Sequence, residues 1–215
     1  MIYPLRIHST GTTIYGGSLM GTISKRICFR TLAASLLAFF LMEGCSQPPR
    51  APEGILDTPA HHVSSGLKFL QKDYNADARR EFELALQLDP YYSAAHRGLG
   101  LVYGKENKFD PAFIAMRKAR DDASSGEQKA LAYVGFMRLY TMRKKTGWLE
   151  QVEERFRDAL RWKNDLPQAY YYMGVAYKNA DRTTEAEQSF KQVVKLNQDL
   201  VTEARGELTA LQKPK

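Results

Sequence analysis

Phe82 and Met116 are 34 positions apart, and so are Phe156 and Phe190. No other feature of this chain narrows its fold as much. Gly66 is followed at +3 by Phe69, +12 by Ala78, +16 by Phe82, +19 by Ala85 and +24 by Pro90. Gly100 is followed at the same offsets by Tyr103, Ala112, Met116, Ala119 and Ser124, and Gly174 by Tyr177, Ala186, Phe190, Val193 and Gln198. Phe156 and Ala159 repeat the second half alone. Met116 to Phe156 is 40 positions, so the third unit carries an insertion of 40 − 34 = 6 residues, around "MRLYTMRKKTGWLE". A unit this short cannot bury its own apolar face; about three or more must stack to build a core.

From Thr58 onward the apolar residues follow a helical period and no run with turn chemistry reads as a strand. Each unit is expected to be two antiparallel helices. Gly66, Ala78, Ala85, Gly100, Ala112 and Ala119 sit where the axes come close, since larger side chains there would cost roughly 1–3 kcal/mol of overpacking. Phe69, Phe82, Tyr103, Phe156, Tyr177 and Phe190 fill the space the small residues leave. Thr58-Pro59 and Asp110-Pro111 predict helix starts with a capping side chain before proline at the first helical position. Ser125-Gly126-Glu127-Gln128 predicts a capping box. Trp148 and Trp162 are both expected to pack against the core.

This pattern resembles the tetratricopeptide repeat family over roughly residues 59–200. The first, second and fourth units carry it well and the third is degraded. The family's early Trp is replaced by His62, His96 and Tyr170, and its closing Pro survives only as Pro90. The resemblance implies an all-α fold, an α–α superhelix of about four helix pairs, with units near 59–92, 93–126, 127–166 and 167–200. Leu196, Leu200, Val201, Ala204, Leu208 and Leu211 recur at helical spacing and predict a capping helix near 198–212.

The segment before the repeats sets the expected compartment. Lys25-Arg26-Ile27-Cys28-Phe29-Arg30 precedes an apolar block, Thr31 to Met42. Twelve helical residues span about 18 Å, short of the ~30 Å hydrocarbon core, so the block suits a signal peptide better than a membrane span. Gly44-Cys45 resembles the lipobox of bacterial lipoproteins, with Met42 and Glu43 where that family favours Leu and a small residue. The resemblance implies cleavage after residue 44, a covalent lipid on Cys45 and no other cofactor. Ser46, rather than Asp, implies the outer membrane, facing the periplasm. An ordinary secretory signal or an uncleaved inner-membrane anchor are the alternatives. Residues 1–19 carry neither a charge run nor an apolar run, and a chain starting at Met20 would have a signal of standard length. Residues 45–57 hold three prolines and a glycine and read as an extended tether reaching at most about 40 Å.

Chemistry is sparse. The two cysteines, Cys28 and Cys45, leave no disulfide after cleavage. His61-His62 lacks the i, i+4 spacing of a two-histidine metal face. Asp121-Asp122 has no partner for acid–base work, and there is no phosphate loop or nucleophile elbow. The net charge of +7 falls to +4 without residues 1–44, which hold four basic residues and one acid. Interspersed as it is, that charge does not indicate nucleic acid. A non-enzymatic scaffold is expected, with a cell-wall enzyme the less favoured reading. No motif fixes an oligomeric state.

In the family, the first helix of each unit lines a concave groove through its second, fifth, ninth, twelfth and thirteenth positions. The resemblance therefore implies Leu67 and Leu70 from the first unit, with Ala60, Val63 and Gln71 beside them. The second unit contributes Arg97, Leu101 and Lys105, the third Arg138 and Leu131, and the fourth Tyr171, Lys178 and Asn179. Such a groove is apolar at one end and basic with an aromatic at the other. It suits a peptide with hydrophobic anchors and some acid. Leu67, Leu101 and Val175 hold the ninth position, so the Asn and paired Lys that grip a C-terminal carboxylate in chaperone adaptors are missing. Arg143-Lys144-Lys145 reads as a solvated tip of the third unit.

Overall fold

The computed structural model describes residues 57–212; the signal segment, Cys45 and most of the tether lie outside the described residues. Among them, nine helices follow one another: α1 Pro59–Gln71, α2 Asn75–Leu88, α3 Ser93–Lys105, α4 Phe109–Asp121, α5 Gly126–Arg143, α6 Trp148–Trp162, α7 Pro167–Asn179, α8 Thr183–Leu196 and α9 Val201–Leu211. No strand occurs among the described residues.

Local chemistry starts and turns these helices. Thr58 caps α1, its hydroxyl accepting from the His61 N–H at 3.2 Å with Pro59 at the first position. Ser125 caps α5 by accepting from the Gln128 N–H at 3.1 Å. The return bond goes elsewhere: Gln128 Oε1 accepts from the N–H of Ser124, not Ser125, so only half of the expected box forms. Asp110-Pro111 does not open α4. That helix begins at Phe109 after Lys108, placing Pro111 third in the helix, still within the first turn whose N–H groups lack helical partners. The turns between paired helices place Asp73, Asn107 and Asp181 at φ 61°, 59° and 56°. Asp and Asn tolerate this left-handed region better than most residues.

The helices pair as α1–α2, α3–α4, α5–α6 and α7–α8. The odd helices also touch one another in succession, α1 to α3 to α5 to α7, whereas the even ones meet chiefly the odd helices. Helices that reach their next-but-one neighbours lie on the inside of a curve. The odd helices therefore form an inner layer and the even helices an outer one. Helix α5, at 18 residues against 13 for α1, α3 and α7, absorbs most of the third unit's insertion. It packs against α3, α4, α6 and α7, so four consecutive residues, Val134 to Met137, are buried. A helix enclosed on most sides has little use for a polar stripe.

The repeated residues make the closest contacts. A Cβ added to Gly66 would lie 2.7 Å from Phe82 Cε1, and one added to Gly174 would lie 2.7 Å from Phe190 Cε1. Gly98 of α3 abuts the Phe82 ring more closely still. Gly100 and Gly135 both meet the Met116 thioether. Phe82, Met116 and Phe190 are completely buried, as are Ala78, Ala85, Ala112, Ala119, Ala159 and Ala186. Phe69, Tyr103, Phe156 and Tyr177 pack at the margin of the core. Trp148 packs there too, but Trp162 is half exposed, with Lys129 Nζ 4.3 Å from its ring centroid. Helix α9 covers the end through Ala204, Leu208 and Leu211; Leu196 instead ends α8, and Leu200 precedes α9 with φ 65°.

Gly98→Ala forces a methyl into the Phe82 ring. It is expected to lower stability by about 1–3 kcal/mol despite better helix propensity. Gly206→Ala on α9, where no atom lies within 4 Å, is expected to gain up to about 1 kcal/mol. Urea melts followed by circular dichroism distinguish the two; a neutral Gly98→Ala would contradict the packing account.

Candidate partner-binding groove

The inner layer brings the expected residues onto one set of helices but gives them different roles. Leu67 on α1 is exposed (36%). Leu70 and Leu101 are buried in the core and so are not available to a partner: at their positions the helix face has already turned toward its neighbour. Lys105 bonds to the Asp73 carboxylate and, at 3.2 Å, to the Leu70 carbonyl. Lys178 Nζ donates to Glu207 Oε2 of α9 at 2.5 Å. Asn179 accepts from Lys144 Nζ at 3.0 Å and donates to the Val175 carbonyl at 2.9 Å. Lys144 is thus not only a solvated tip, and three of the expected polar groove residues are tied up within the chain.

Arg97 on α3 and Arg138 on α5 are different. Neither makes an ion pair or a hydrogen bond to another described residue. The Arg138 guanidinium lies over the Tyr172 ring, 4.6 Å from its centroid, and Tyr171 meets Tyr172 edge-on at 5.2 Å. Both arginines are half-buried by area, with protein around their guanidinium groups. Burial, and then the nearby Arg138 charge, push the Arg97 guanidinium down to about 10. Burial also lowers Arg138, with Tyr172 and Tyr171 opposing. Burial raises the Tyr171 hydroxyl, and Glu207 adds to the effect. Tyr172 escaped the sequence reading because it holds the sixth position of its unit; the run Tyr170-Tyr171-Tyr172 was its only signal.

The residues replacing the family's Trp bind loop polar groups. His96 Nε2 and Tyr170 Oη bond the carbonyls six residues back, Pro90 O at 3.0 Å and Asn164 O at 3.2 Å. His62 instead sits between two carboxylates. On the outer side, a depression of about 450 Å³ is lined by Phe113, Ile114, Arg117, Tyr140 and Arg143. It is shallow and includes neither Arg97 nor Arg138.

Residues 167–200 match the family model described as tetratricopeptide repeat. The fold is a tetratricopeptide-repeat solenoid. A solved structure of a thermophilic TPR protein of Thermus thermophilus is 22% identical, with a TM-score of 0.55, over 71% of this chain and 80% of that one. A chain of the Cut9–Hcn1 hetero-tetramer of the APC/C is 18% identical, with a TM-score of 0.50, over 81% of this chain. The chain spans only 29% of that protein's length. At these identities the likeness is one of fold. No curated protein matches the sequence. Tetratricopeptide solenoids generally mediate contacts between proteins.

His62 yields a pH test. Its Nδ1 lies 2.8 Å from Glu81 Oε2 and its Nε2 3.1 Å from Asp57 Oδ1. With oxygen acceptors at both nitrogens, the ring is best satisfied as imidazolium. The Glu81 hydrogen bond raises its pKa above 6.5, burial opposes, and Asp57 adds to the rise. The folded value exceeds the unfolded one, so this stabilisation is complete below about pH 6.5 and is lost as pH rises through the raised value. The melting-temperature advantage of wild type over His62→Gln is expected to be largest at acid pH and to shrink toward pH 8. A constant difference from pH 5.5 to 8.5 would contradict the assignment.

Proposed function

We propose that the chain is a lipid-anchored, non-enzymatic scaffold that holds a polypeptide partner within a bacterial envelope assembly of the pilus, secretion or outer-membrane type. The inner layer carries this reading. It exposes Leu67 and sets Arg138, which has no ion pair among the described residues, over the Tyr172 ring, an arrangement suited to gripping a chain rather than transforming a small molecule. The basic segment, apolar block and Gly44-Cys45 support anchoring through lipid on Cys45, and Ser46 favours the outer membrane. Among the described residues, no helix is long and apolar enough to cross a membrane.

Two measurements test the two halves of the reading. Radioactive palmitate should label wild type and not Cys45→Ala; equal labelling defeats the lipoprotein assignment and favours a different anchor. A photocrosslinking amino acid at Leu67 should capture one defined protein in intact envelopes, whereas the same probe at the exposed outer residue Arg80 should not. Identical adducts from both positions, or none, defeat the groove assignment.

A further inference from the structure

The charges of the inner layer close on themselves toward both ends. Lys105 is paired with Asp73, and Lys178 with Glu207. Between them Arg97 and Arg138 remain, on the touching inner helices α3 and α5, and neither guanidinium donates to a described residue. A buried or half-buried cation pair without a counter-ion opposes folding. Packing alone does not call for it, because an uncharged side chain of similar length would fill the same space. Two guanidiniums present up to ten N–H donors in planar forks suited to an oxyanion. Tyr172 under Arg138 and Tyr171 at its edge add flat apolar surface next to that charge.

We propose that Arg97 and Arg138, backed by Tyr171 and Tyr172, form the site that receives an acidic side chain of the partner polypeptide. This deepens the scaffold reading and rests on it. The anion supplies the missing counter-charge, and the residues flanking it lie on the tyrosine rings. A carboxylate is favoured over a phosphate ester by what rims the site. Tyr171 packs in one cluster with Leu208 and Leu211 of α9, the helix that carries Glu203 and Glu207, so a dianion is repelled there more than a single negative charge.

The probe is an acetylated and amidated peptide of four Gly-Glu-Leu triplets, compared by calorimetry with its Gln counterpart, its phosphoserine counterpart and inorganic phosphate. Charge-assisted hydrogen bonds predict that the Glu peptide binds about tenfold or more tighter than the Gln peptide, and that the double variant Arg97→Gln/Arg138→Gln loses this preference. The same variant is expected to melt at a urea concentration equal to or above that of wild type, because it sheds an uncompensated charge pair. A lower urea midpoint would make the arginines structural and overturn the site. Equal binding of Glu and Gln peptides, or unchanged binding by the double variant, would do the same. Tighter binding of the phosphoserine peptide, or full displacement by equimolar phosphate, would overturn the carboxylate assignment. Crosslinking from Leu67 separates the two levels. Capture that persists unchanged in the double variant sinks this inference and leaves the scaffold reading intact, while no capture by wild type sinks the scaffold reading itself.

Discussion

The contact between a bulky side chain on three of the four outer helices and a glycine on an inner one holds this molecule in register. Phe82 lies against Gly66 and Gly98, Met116 against Gly100 and Gly135, and Phe190 against Gly174. In the first two cases the side chain engages its own unit and the next one together. Each such contact fixes the spacing within a pair and the offset to its neighbour. The inner helices come close enough to touch only because glycine and alanine line the approach. Remove the small residues and the outer helices are pushed away, the inner layer opens, and the groove loses its floor.

That steric relation is also why so much of the fold could be read from residue types. Small and large residues at constant offsets record close approach directly, and no knowledge of distant partners is needed. Where the outcome depended on a partner far along the chain, reading failed. Lys105 and Lys178 sit at groove positions, yet Asp73 and Glu207 had already claimed them. Leu70 and Leu101 share periodicity with exposed leucines but face the neighbouring unit. Pro111 looked like a first helical residue because proline favours that position, yet the third position also lies in the first turn, where a missing N–H costs no helical hydrogen bond. Trp162 was expected inside; its place at the very end of α6 leaves half of it in solvent, with Lys129 over the ring.

The candidate site shows the same divide. Arg97 and Arg138 were legible as inner-layer residues from position alone, but their lack of a counter-ion among the described residues was not, since it is a property of every surrounding carboxylate at once. Tyr172 holds the sixth position of its unit, which is not one of the family's groove positions, and it meets the arginine because Arg138 reaches across from α5 to α7. The groove is thus not uniformly basic. Its outlying cations Lys105 and Lys178 are neutralised within the chain, and the cations without an ion pair among the described residues lie on the middle helices.

The three side chains of that central cluster come from α3, α5 and α7, hence from three successive units. Stacked repeats touch only near neighbours, and their stability is close to a sum of local terms, so one end can loosen while the other remains ordered. A ligand lodged among Arg97, Arg138 and Tyr172 behaves as a clasp across two junctions at once. Occupancy then couples segments that otherwise open independently, and the loaded protein resists proteolysis over a longer stretch than the ligand itself covers.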